Sequence, residues 1–200
     1  MQHNLDAMST HLTALSGSNL DADTAAWIAE SIPGLIGDLR SDHAGETGAV
    51  AIYLGILSVC SDPQIRQFAQ AHLATEREHL ARLCDLLPPG RRSVLLPLWR
   101  VAGWLTGALP ALVGPRAVYS TIDAVETFVD QHYEEQVRKL PVDGPGGVLR
   151  DLLMACQADE VHHRDEARTA RQGNAGALLR GWQWLVGTGS ALAVAAARRV

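Results

Sequence analysis

Glutamates and histidines recur in a fixed order along this sequence. A lone glutamate is followed, about thirty residues later, by a Glu-x-x-His pair, and the order occurs twice: Glu46, Glu76 and His79, then Glu126, Glu160 and His163. Residues three apart lie on one face of a helix, so each pair can direct a carboxylate and an imidazole at the same point. Oxygen-rich ligand sets with a few nitrogens suit iron or manganese. The spacing therefore predicts a metal site assembled from four helices.

This pattern is specific because several features occur together, not because of any single acid-x-x-His pair. With 22 acidic residues and 8 histidines among 200 residues, chance alone produces about one acid-x-x-His pair. Here two Glu-x-x-His pairs each follow a lone glutamate. In addition, Tyr53 and Tyr133 each lie seven residues after the lone glutamate of their own half. The two halves of the site therefore resemble copies of one helix pair.

The predicted ligands lie among mostly apolar residues, as in AGETGAVAIYL around Glu46 and DAVETFV around Glu126. Such surroundings place the carboxylates in the interior, where unpaired charge is very costly. Two divalent cations would neutralise four carboxylates, and two neutral imidazoles would complete the ligand set. Structural zinc sites prefer thiolates, and the cysteines do not recur with these ligands. We therefore expect two iron or manganese ions; the competing interpretation is six exposed residues in surface ion pairs.

Other polar residues lie within helical reach of the predicted ligands. Three aspartates, one turn away, could orient a metal-bound histidine or simply be solvated: Asp42, Asp123 and Asp130. His162 could replace His163 by pairing with Asp159, but only His163 completes a Glu-x-x-His pair. Three further residues are near the site by spacing: His43, His132 and Tyr133. His72 is expected to have no role there.

Proline and glycine positions divide the chain into helices. Four helices are predicted to carry the metal ligands: Pro33–Val59, Pro63–Leu86, Pro115–Leu140 and Val148–Gln172. Proline at the first helical position favours the start at Pro63. A composition rich in Ala, Leu, Val and Gly, with only 5% aromatic residues, favours closely packed helices over a sheet. The prediction is an all-α protein built on a four-helix bundle, with a frayed segment over residues 1–30 and one domain over residues 31–200.

Two further segments are strongly apolar. The first, from Leu95 to Gly114, approaches the length that spans a bilayer, but it contains Arg100 and is broken by Pro97 and Pro110. We therefore expect a hairpin in the membrane interface between the second and third helices, and an apolar helix at the C-terminus. Four of the five tryptophans fall in these segments and arginines flank them, which is typical of a water–lipid boundary. The alternative is that both segments cover the bundle in water.

Charge and cysteine content exclude some classes of protein. The net charge is −5 and no run of Lys or Arg occurs, so no nucleic-acid partner is expected. The first 25 residues contain no Lys or Arg and do not resemble a secretory or transit signal. Three widely separated cysteines argue against a disulfide framework and favour a reducing compartment. These features are typical of a bacterial protein exposed to the cytoplasm.

Several strings resemble the demethoxyubiquinone hydroxylase family of ubiquinone biosynthesis: LRSDHAGETGAVAIYLG, EREHLARL, LLPLWRVAGWLTGALPALVG, AVETFVDQHYEEQ and DEVHHRDEA. The likeness extends from Leu35 to the C-terminus. It implies a ferritin-like fold whose iron ligands are the six residues that the spacing also selects. It further implies that His132 and Tyr133 help electrons or protons to reach the site. One departure is Thr127 after Glu126, where relatives often have a second acid.

The resemblance also implies a function. The protein would be a monooxygenase with two iron ions (Fe2+/Fe3+), peripheral on the cytoplasmic face of the bacterial inner membrane. It would insert one oxygen atom of O2 into the ring of a polyprenyl benzoquinone, using an external reductant and working beside another quinone-biosynthesis protein. Two other hypotheses use the same residues: a ferritin-like iron-storage or peroxide-scavenging protein, and a non-catalytic membrane scaffold with a structural metal. The apolar segments argue against the storage protein, because storage needs no apolar entrance.

Overall fold

The computed structural model describes Trp27 and residues 31–200. It contains the following α-helices, numbered in chain order: α1 (Leu35–Val59), α2 (Pro63–Leu86), α3 (Leu96–Val113), α4 (Pro115–Val137), α5 (Gly144–Arg171) and α6 (Ala177–Ala197). A short 3-10 turn, Pro89–Arg91, lies between α2 and α3. No strand occurs within residues 31–200, so the all-α prediction is confirmed. Except for Trp27, the predicted N-terminal segment lies outside the described residues.

The helix boundaries follow from local chemistry. The Asp62 side chain accepts hydrogen bonds from two backbone N–H groups at the start of α2, at 2.8 and 3.1 Å. Pro63 then occupies the first position, where no backbone N–H is needed. Gly114, with a φ of 133°, separates α3 from α4 in a conformation that favours glycine. Helix α5 begins at Gly144, earlier than predicted, because Pro145 fits its first turn.

The predicted apolar hairpin is wrong, because this segment forms the single helix α3. Pro97 lies in the first turn, where its missing N–H is not required, and Pro110 lies in the last turn. That turn closes with a hydrogen bond from the Gly114 N–H to the Pro110 carbonyl, at 3.0 Å. Pro110 cannot donate the usual hydrogen bond to the carbonyl four residues earlier, but α3 continues through it to Val113 and stays a single helix. By length and composition alone α3 could cross a membrane, and only 22% of it is buried.

Helix α3 lies against α1, backbone to backbone. A Cβ atom on Gly103 would overlap the Gly48 carbonyl oxygen, and one on Gly107 would overlap the Ile52 carbonyl oxygen. A Cβ atom on Gly55, in α1, would likewise overlap a backbone oxygen of α3. Larger side chains at these positions would force the two helices apart. The order of the contacts shows that α1 and α3 run side by side in the same direction.

Helix α6, predicted as an apolar C-terminal helix, packs across α4 and α1. The Trp182 indole donates to Thr121 Oγ1 of α4 at 2.7 Å. The Gln183 amide donates to Asp123 of the same helix at 3.0 Å. Beyond the other end of α6, Arg198 Nε lies 3.0 Å from the Asp38 carboxylate of α1. These contacts hold α6 over the space between α1 and α4.

The apolar core is divided into two clusters, and α1, α2, α4 and α5 contribute to both. Tyr53 and Phe68 belong to one cluster, and Leu39, Leu83 and Tyr133 belong to the other. Buried glutamates and histidines from the same four helices occupy the region between the clusters. The interior faces of these helices therefore change from apolar to polar and back along their length.

Candidate metal centre

The structure brings all six residues predicted from spacing into the interior. They come from four helices: Glu46 from α1, Glu76 and His79 from α2, Glu126 from α4, and Glu160 and His163 from α5. None is more than 3% exposed. The i, i+3 spacing within α2 and α5 directs the carboxylate and imidazole of each pair to one side of its helix. The interpretation as six exposed residues in surface ion pairs is therefore wrong.

The nitrogen and oxygen atoms of these side chains form two overlapping groups, each with atoms within 4.8 Å of one another: Glu46, Glu76, His79 and Glu160; and Glu76, Glu126, Glu160 and His163. Glu76 and Glu160 belong to both groups. The Glu160 carboxylate lies 3.1 Å from His79 Nδ1 and 3.4 Å from His163 Nδ1. This arrangement can hold two metal ions side by side, sharing two carboxylates.

Two buried tyrosines link the halves of the cluster. The Tyr133 hydroxyl donates to Glu46 at 2.5 Å, and the Tyr53 hydroxyl donates to Glu126 at 3.3 Å. Each tyrosine thus binds the lone glutamate of the other half, not the one that precedes it by two helical turns. The reciprocal contacts agree with two copies of one helix pair facing each other.

The carboxylates of the cluster have the properties of metal ligands. Glu46 Oε2 and both carboxylate oxygens of Glu76 have no hydrogen-bond partner within residues 31–200, and such buried oxygens are costly. Burial, followed by the charges of Glu76 and Glu160, raises the pKa of Glu46 well above its usual value. Burial and the same two neighbours raise the pKa of Glu126. The cluster needs positive charge, and a pair of divalent metal ions fits this need.

Comparison with known proteins identifies the family. Residues 36–197 match the family model described as ubiquinone biosynthesis protein COQ7. The chain belongs to the COQ7 family. A 3-demethoxyubiquinol 3-hydroxylase from Rhodospirillum rubrum is 36% identical over 167 residues, which cover 81% of this chain and 76% of that protein.

Eukaryotic members of the COQ7 family also resemble the chain. The mitochondrial NADPH-dependent 3-demethoxyubiquinone 3-hydroxylase of Dictyostelium discoideum is 36% identical over 132 residues, 62% of this chain and 59% of that protein. The human enzyme of the same name is 34% identical over 131 residues, 64% of this chain and 60% of that protein. The aligned region thus spans about three fifths of each of these two relatives.

In this COQ7-family chain an aspartate on α5 orients a histidine on α2. Asp159 Oδ2 lies 3.1 Å from His79 Nε2, and this contact directs Nδ1 of the same ring at the cluster. The spacing had related Asp159 only to His162, as the alternative to the preferred His163. In the sequence, only the position of Asp159 beside Glu160 points to a role at the cluster. Its partner, His79, lies on another helix, so spacing along the chain does not reveal the contact.

The aspartates selected from spacing have other partners. Within residues 31–200 none of the three contacts His79 or His163: Asp42 lies against His132 and Gln136, Asp123 pairs with Arg168 and Arg171, and Asp130 pairs with Arg164. Two of them therefore attach α4 to α5, and Asp42 joins α1 to α4. Orientation of His79 is the role of Asp159.

The remaining histidines separate by burial and contact. The His162 side chain is 75% exposed and lies outside the cluster, so the structure favours His163 over it. His43 contacts Cys84 and is not part of the cluster. His72, for which no role was expected, is buried and packs on His163, with ring centroids 4.0 Å apart. Its Nε2 atom lies 2.8 Å from Glu166, which holds the ring in this position.

A cavity of about 360 Å³ lies beside the cluster, enclosed by α1, α3, α4 and α6. Apolar side chains make up most of its wall, including Ile52, Val129 and Val186, and cluster glutamates also line it: Glu46, Glu76, Glu126 and Glu160. Of the two residues expected to help with electrons or protons, His132 lies in this wall and Tyr133 binds Glu46. The cavity can therefore bring an apolar ring to the cluster.

In the metal-free protein, His163 should stabilise the fold only while it is protonated. Burial opposes its charged form, but Glu160 and Glu76 outweigh burial and raise the pKa of His163 from 6.5 to about 9. Its contribution is therefore complete below the unfolded-state pKa of 6.5 and is lost as the pH rises through about 9. The difference between the two pKa values corresponds to about 3 kcal/mol.

Thermal unfolding of the metal-free protein at about pH 7 and about pH 9.5 tests this expectation. The midpoint of the parent chain should fall with pH, and the fall should be smaller in His163→Gln. His162→Gln, which changes the exposed neighbour, should behave as the parent does. Equal falls in the parent and His163→Gln would contradict the assignment.

Proposed function

We propose that this chain is a di-iron monooxygenase of ubiquinone biosynthesis, which hydroxylates the ring of a polyprenylated demethoxyubiquinone-type precursor. The observation that carries the proposal is the buried cluster of four glutamates and two histidines, placed at an apolar cavity. The similarity to a protein named as a 3-demethoxyubiquinol 3-hydroxylase supports this choice of substrate. O2 is the proposed co-substrate, because a monooxygenase inserts one of its oxygen atoms.

Two iron ions are the proposed cofactor, and all six residues of the cluster are their proposed ligands: Glu46, Glu76, His79, Glu126, Glu160 and His163. The two overlapping groups support this assignment, because Glu76 and Glu160 are placed to serve both ions. A ligand set of oxygen with a few nitrogens suits iron. When bound, the iron pair supplies the activation of O2 that the side chains themselves cannot provide.

The protein's own residues fix the ligands and exclude water. Tyr133 and Tyr53 hold the two lone glutamates, and Asp159 holds His79. The apolar wall of the cavity keeps bulk water from the reacting ring. His132 and Tyr133 are the candidates for moving protons between the cavity and the cluster, because one lines the cavity and the other binds Glu46. Rigid placement of this kind favours reaction at one ring position.

The reductant is external. The sequence contains no glycine fingerprint for a nicotinamide or flavin cofactor. The human relative is named as NADPH-dependent, which supports a nicotinamide as the source of electrons. Another protein of quinone biosynthesis is the proposed partner.

The outer faces of α3 and α6 are the proposed membrane contact, on the cytoplasmic face of the bacterial inner membrane. Leu105, Leu109 and Leu112 lie along one exposed face of α3, and Leu185 and Leu192 lie one heptad apart on α6. Both helices also line the cavity. A long isoprenoid tail can therefore stay in the lipid while its ring reaches the cluster.

Membrane binding should depend on the exposed leucines of α3. The double variant Leu105→Glu/Leu109→Glu should bind vesicles of phosphatidylcholine and phosphatidylglycerol at least about tenfold more weakly. Two leucine side chains no longer insert into the lipid, and the added negative charge is repelled by the anionic headgroups. Co-sedimentation measures this binding. Val142→Glu, at an exposed position between α4 and α5, is the matched control and should bind as the parent does. Equal binding by all three proteins would contradict the assignment of this face.

The function is tested by a mass-spectrometric quinone profile in a bacterial host that lacks its own demethoxyubiquinone hydroxylase. Expression of this chain should restore ubiquinone and remove the precursor. An iron-storage or peroxide-scavenging protein would leave the precursor in place and mineralise iron in vitro. Persistence of the precursor with folded, iron-loaded protein would therefore refute the hydroxylase proposal.

A further inference from the structure

Apart from the glutamates of the cluster, two buried polar atoms in residues that line the cavity have no hydrogen-bond partner in the described part of the chain: Trp99 Nε1 and Asp42 Oδ2. The indole N–H can only donate a hydrogen bond, and an ionised carboxylate oxygen can only accept one. Buried polar atoms without partners are uncommon and costly, so each needs an explanation. Together they offer one donor and one acceptor to a molecule in the cavity.

The two residues lie at the same level of the fold, beside the cluster. Gly103 of α3 faces Gly48 of α1, and the two helices run in the same direction. Trp99, one turn before Gly103, is therefore level with the turn of α1 that precedes Gly48. The centre of that level is Ala44, which lies two residues from Asp42 and two residues from Glu46, a proposed iron ligand that lines the same cavity.

Neighbouring side chains fix the Asp42 carboxylate in one orientation. Oδ1 accepts a hydrogen bond from the Gln136 amide at 2.6 Å and lies 2.9 Å from His132 Nε2. Both contacts use the same oxygen, which leaves Oδ2 available. The Asp42 side chain is fully buried, so Oδ2 does not face bulk solvent.

We propose that Trp99 and Asp42 seat the polar edge of the substrate ring: the Trp99 indole N–H donates to a ring oxygen, and Asp42 Oδ2 accepts a hydrogen bond from a ring hydroxyl. The inference rests on the proposed function and names the residues that would recognise the reduced form of the substrate. Only the reduced ring, a quinol, has a hydroxyl to donate. The oxidised ring presents carbonyl oxygens, which repel the lone pairs of Asp42 Oδ2. The site therefore selects the quinol.

Equilibrium titration of the iron-loaded protein tests the donor. Short-chain demethoxyubiquinol and demethoxyubiquinone analogues are added separately without O2. Trp99→Phe keeps an aromatic ring but removes the N–H, and it should bind both forms about tenfold more weakly, because both have a ring oxygen. Trp104→Phe, on the same helix but outside the cavity wall, should bind both forms as the parent does. Parent-like binding by Trp99→Phe would overturn the role of Trp99.

Asp42→Asn tests the acceptor through the redox state of the ring. Its carbonyl oxygen can still accept from Gln136, so its amide nitrogen takes the place of Oδ2 and becomes a donor. Quinol binding should weaken about tenfold, whereas quinone binding should be unchanged or tighter. Equal weakening for both forms would show that Asp42 only supports the structure. A purely structural role cannot reverse the preference.

Two controls separate failure of this inference from failure of the proposed function. Circular dichroism and iron content verify the fold of each variant. If Asp42→Asn does not fold, the binding measured for Trp99→Phe alone decides whether the inference holds. A parent chain that hydroxylates the quinol, with Trp99→Phe binding it equally well, would overturn only the headgroup contact. A parent chain that binds neither analogue would overturn the proposed function and this inference with it.

Discussion

Replacing Glu160 with Gln should reduce hydroxylation by more than about a hundredfold and leave the protein with less than half of its iron. Glu160 is the carboxylate that lies against both imidazoles and belongs to both ligand groups. Its loss therefore affects both proposed iron ions. Changing residues outside the ligand shell of a metal site commonly costs 10–100-fold, so loss of a shared ligand is expected to cost more.

Iron content measured by mass spectrometry and quinone products measured in the same preparation check this prediction. Glu78→Gln is the matched control, because Glu78 is an exposed glutamate on α2, two residues from Glu76. It should keep both iron and activity. Full activity in a folded Glu160→Gln variant would mean that the cluster is not the catalytic centre.

Replacing Gly107 with Val should lower the stability of the protein by about 3 kcal/mol or more, which corresponds to roughly 6–12 °C in the unfolding midpoint. A Cβ atom at this position would overlap the Ile52 carbonyl oxygen, so α3 must move away from α1. The Ile52 carbonyl is part of the α1 backbone, so it cannot move aside for the new side chain as a flexible side chain could. Since both helices line the cavity, hydroxylation should fall as well.

Thermal unfolding and hydroxylation assays of iron-loaded protein measure both effects. Gly181→Ala is the control, because a Cβ atom there, within α6, would meet no atom of another helix within 4 Å. That variant should be at least as stable as the parent, with a gain of up to about 1 kcal/mol from the higher helix propensity of alanine. A Gly107→Val protein with the parent's midpoint would refute the close contact between α1 and α3.

The residues that meet in the cluster could be predicted because the geometry that selects them is local. Glu76 and His79 share a helix face at i, i+3 whatever the rest of the chain does, and the same holds for Glu160 and His163. Repetition of the order in both halves also needed no knowledge of the fold. The apolar neighbours of the lone glutamates correctly indicated burial, since a helix that buries one residue also buries its neighbours on that face.

The apolar segment before α4 shows why local rules can fail. Proline interrupts a helix only where its N–H would be bonded and the preceding turn would be crowded. In α3, Pro97 falls in the first turn and Pro110 in the last. Pro110 does lose that hydrogen bond, but only three residues before the helix ends, and the helix continues through it. The predicted hairpin depended on treating both prolines as breaks in the helix. Glycine is a weak helix former, but Gly103 allows α3 to lie against the backbone of α1.

The sequence by itself determined an all-α chain, the residues that meet at its centre, and two strongly apolar segments, one before α4 and one after α5. Each of these depends on spacing within one helix or on composition. Only the tertiary structure decided that Glu76 and Glu160 belong to both groups of side chains that could hold a metal ion. It also decided that each tyrosine binds the lone glutamate of the other half, and that Asp159 orients His79. These are contacts between helices, and they depend on the rotation and offset of each helix, which the packing of side chains sets and a one-dimensional pattern does not contain.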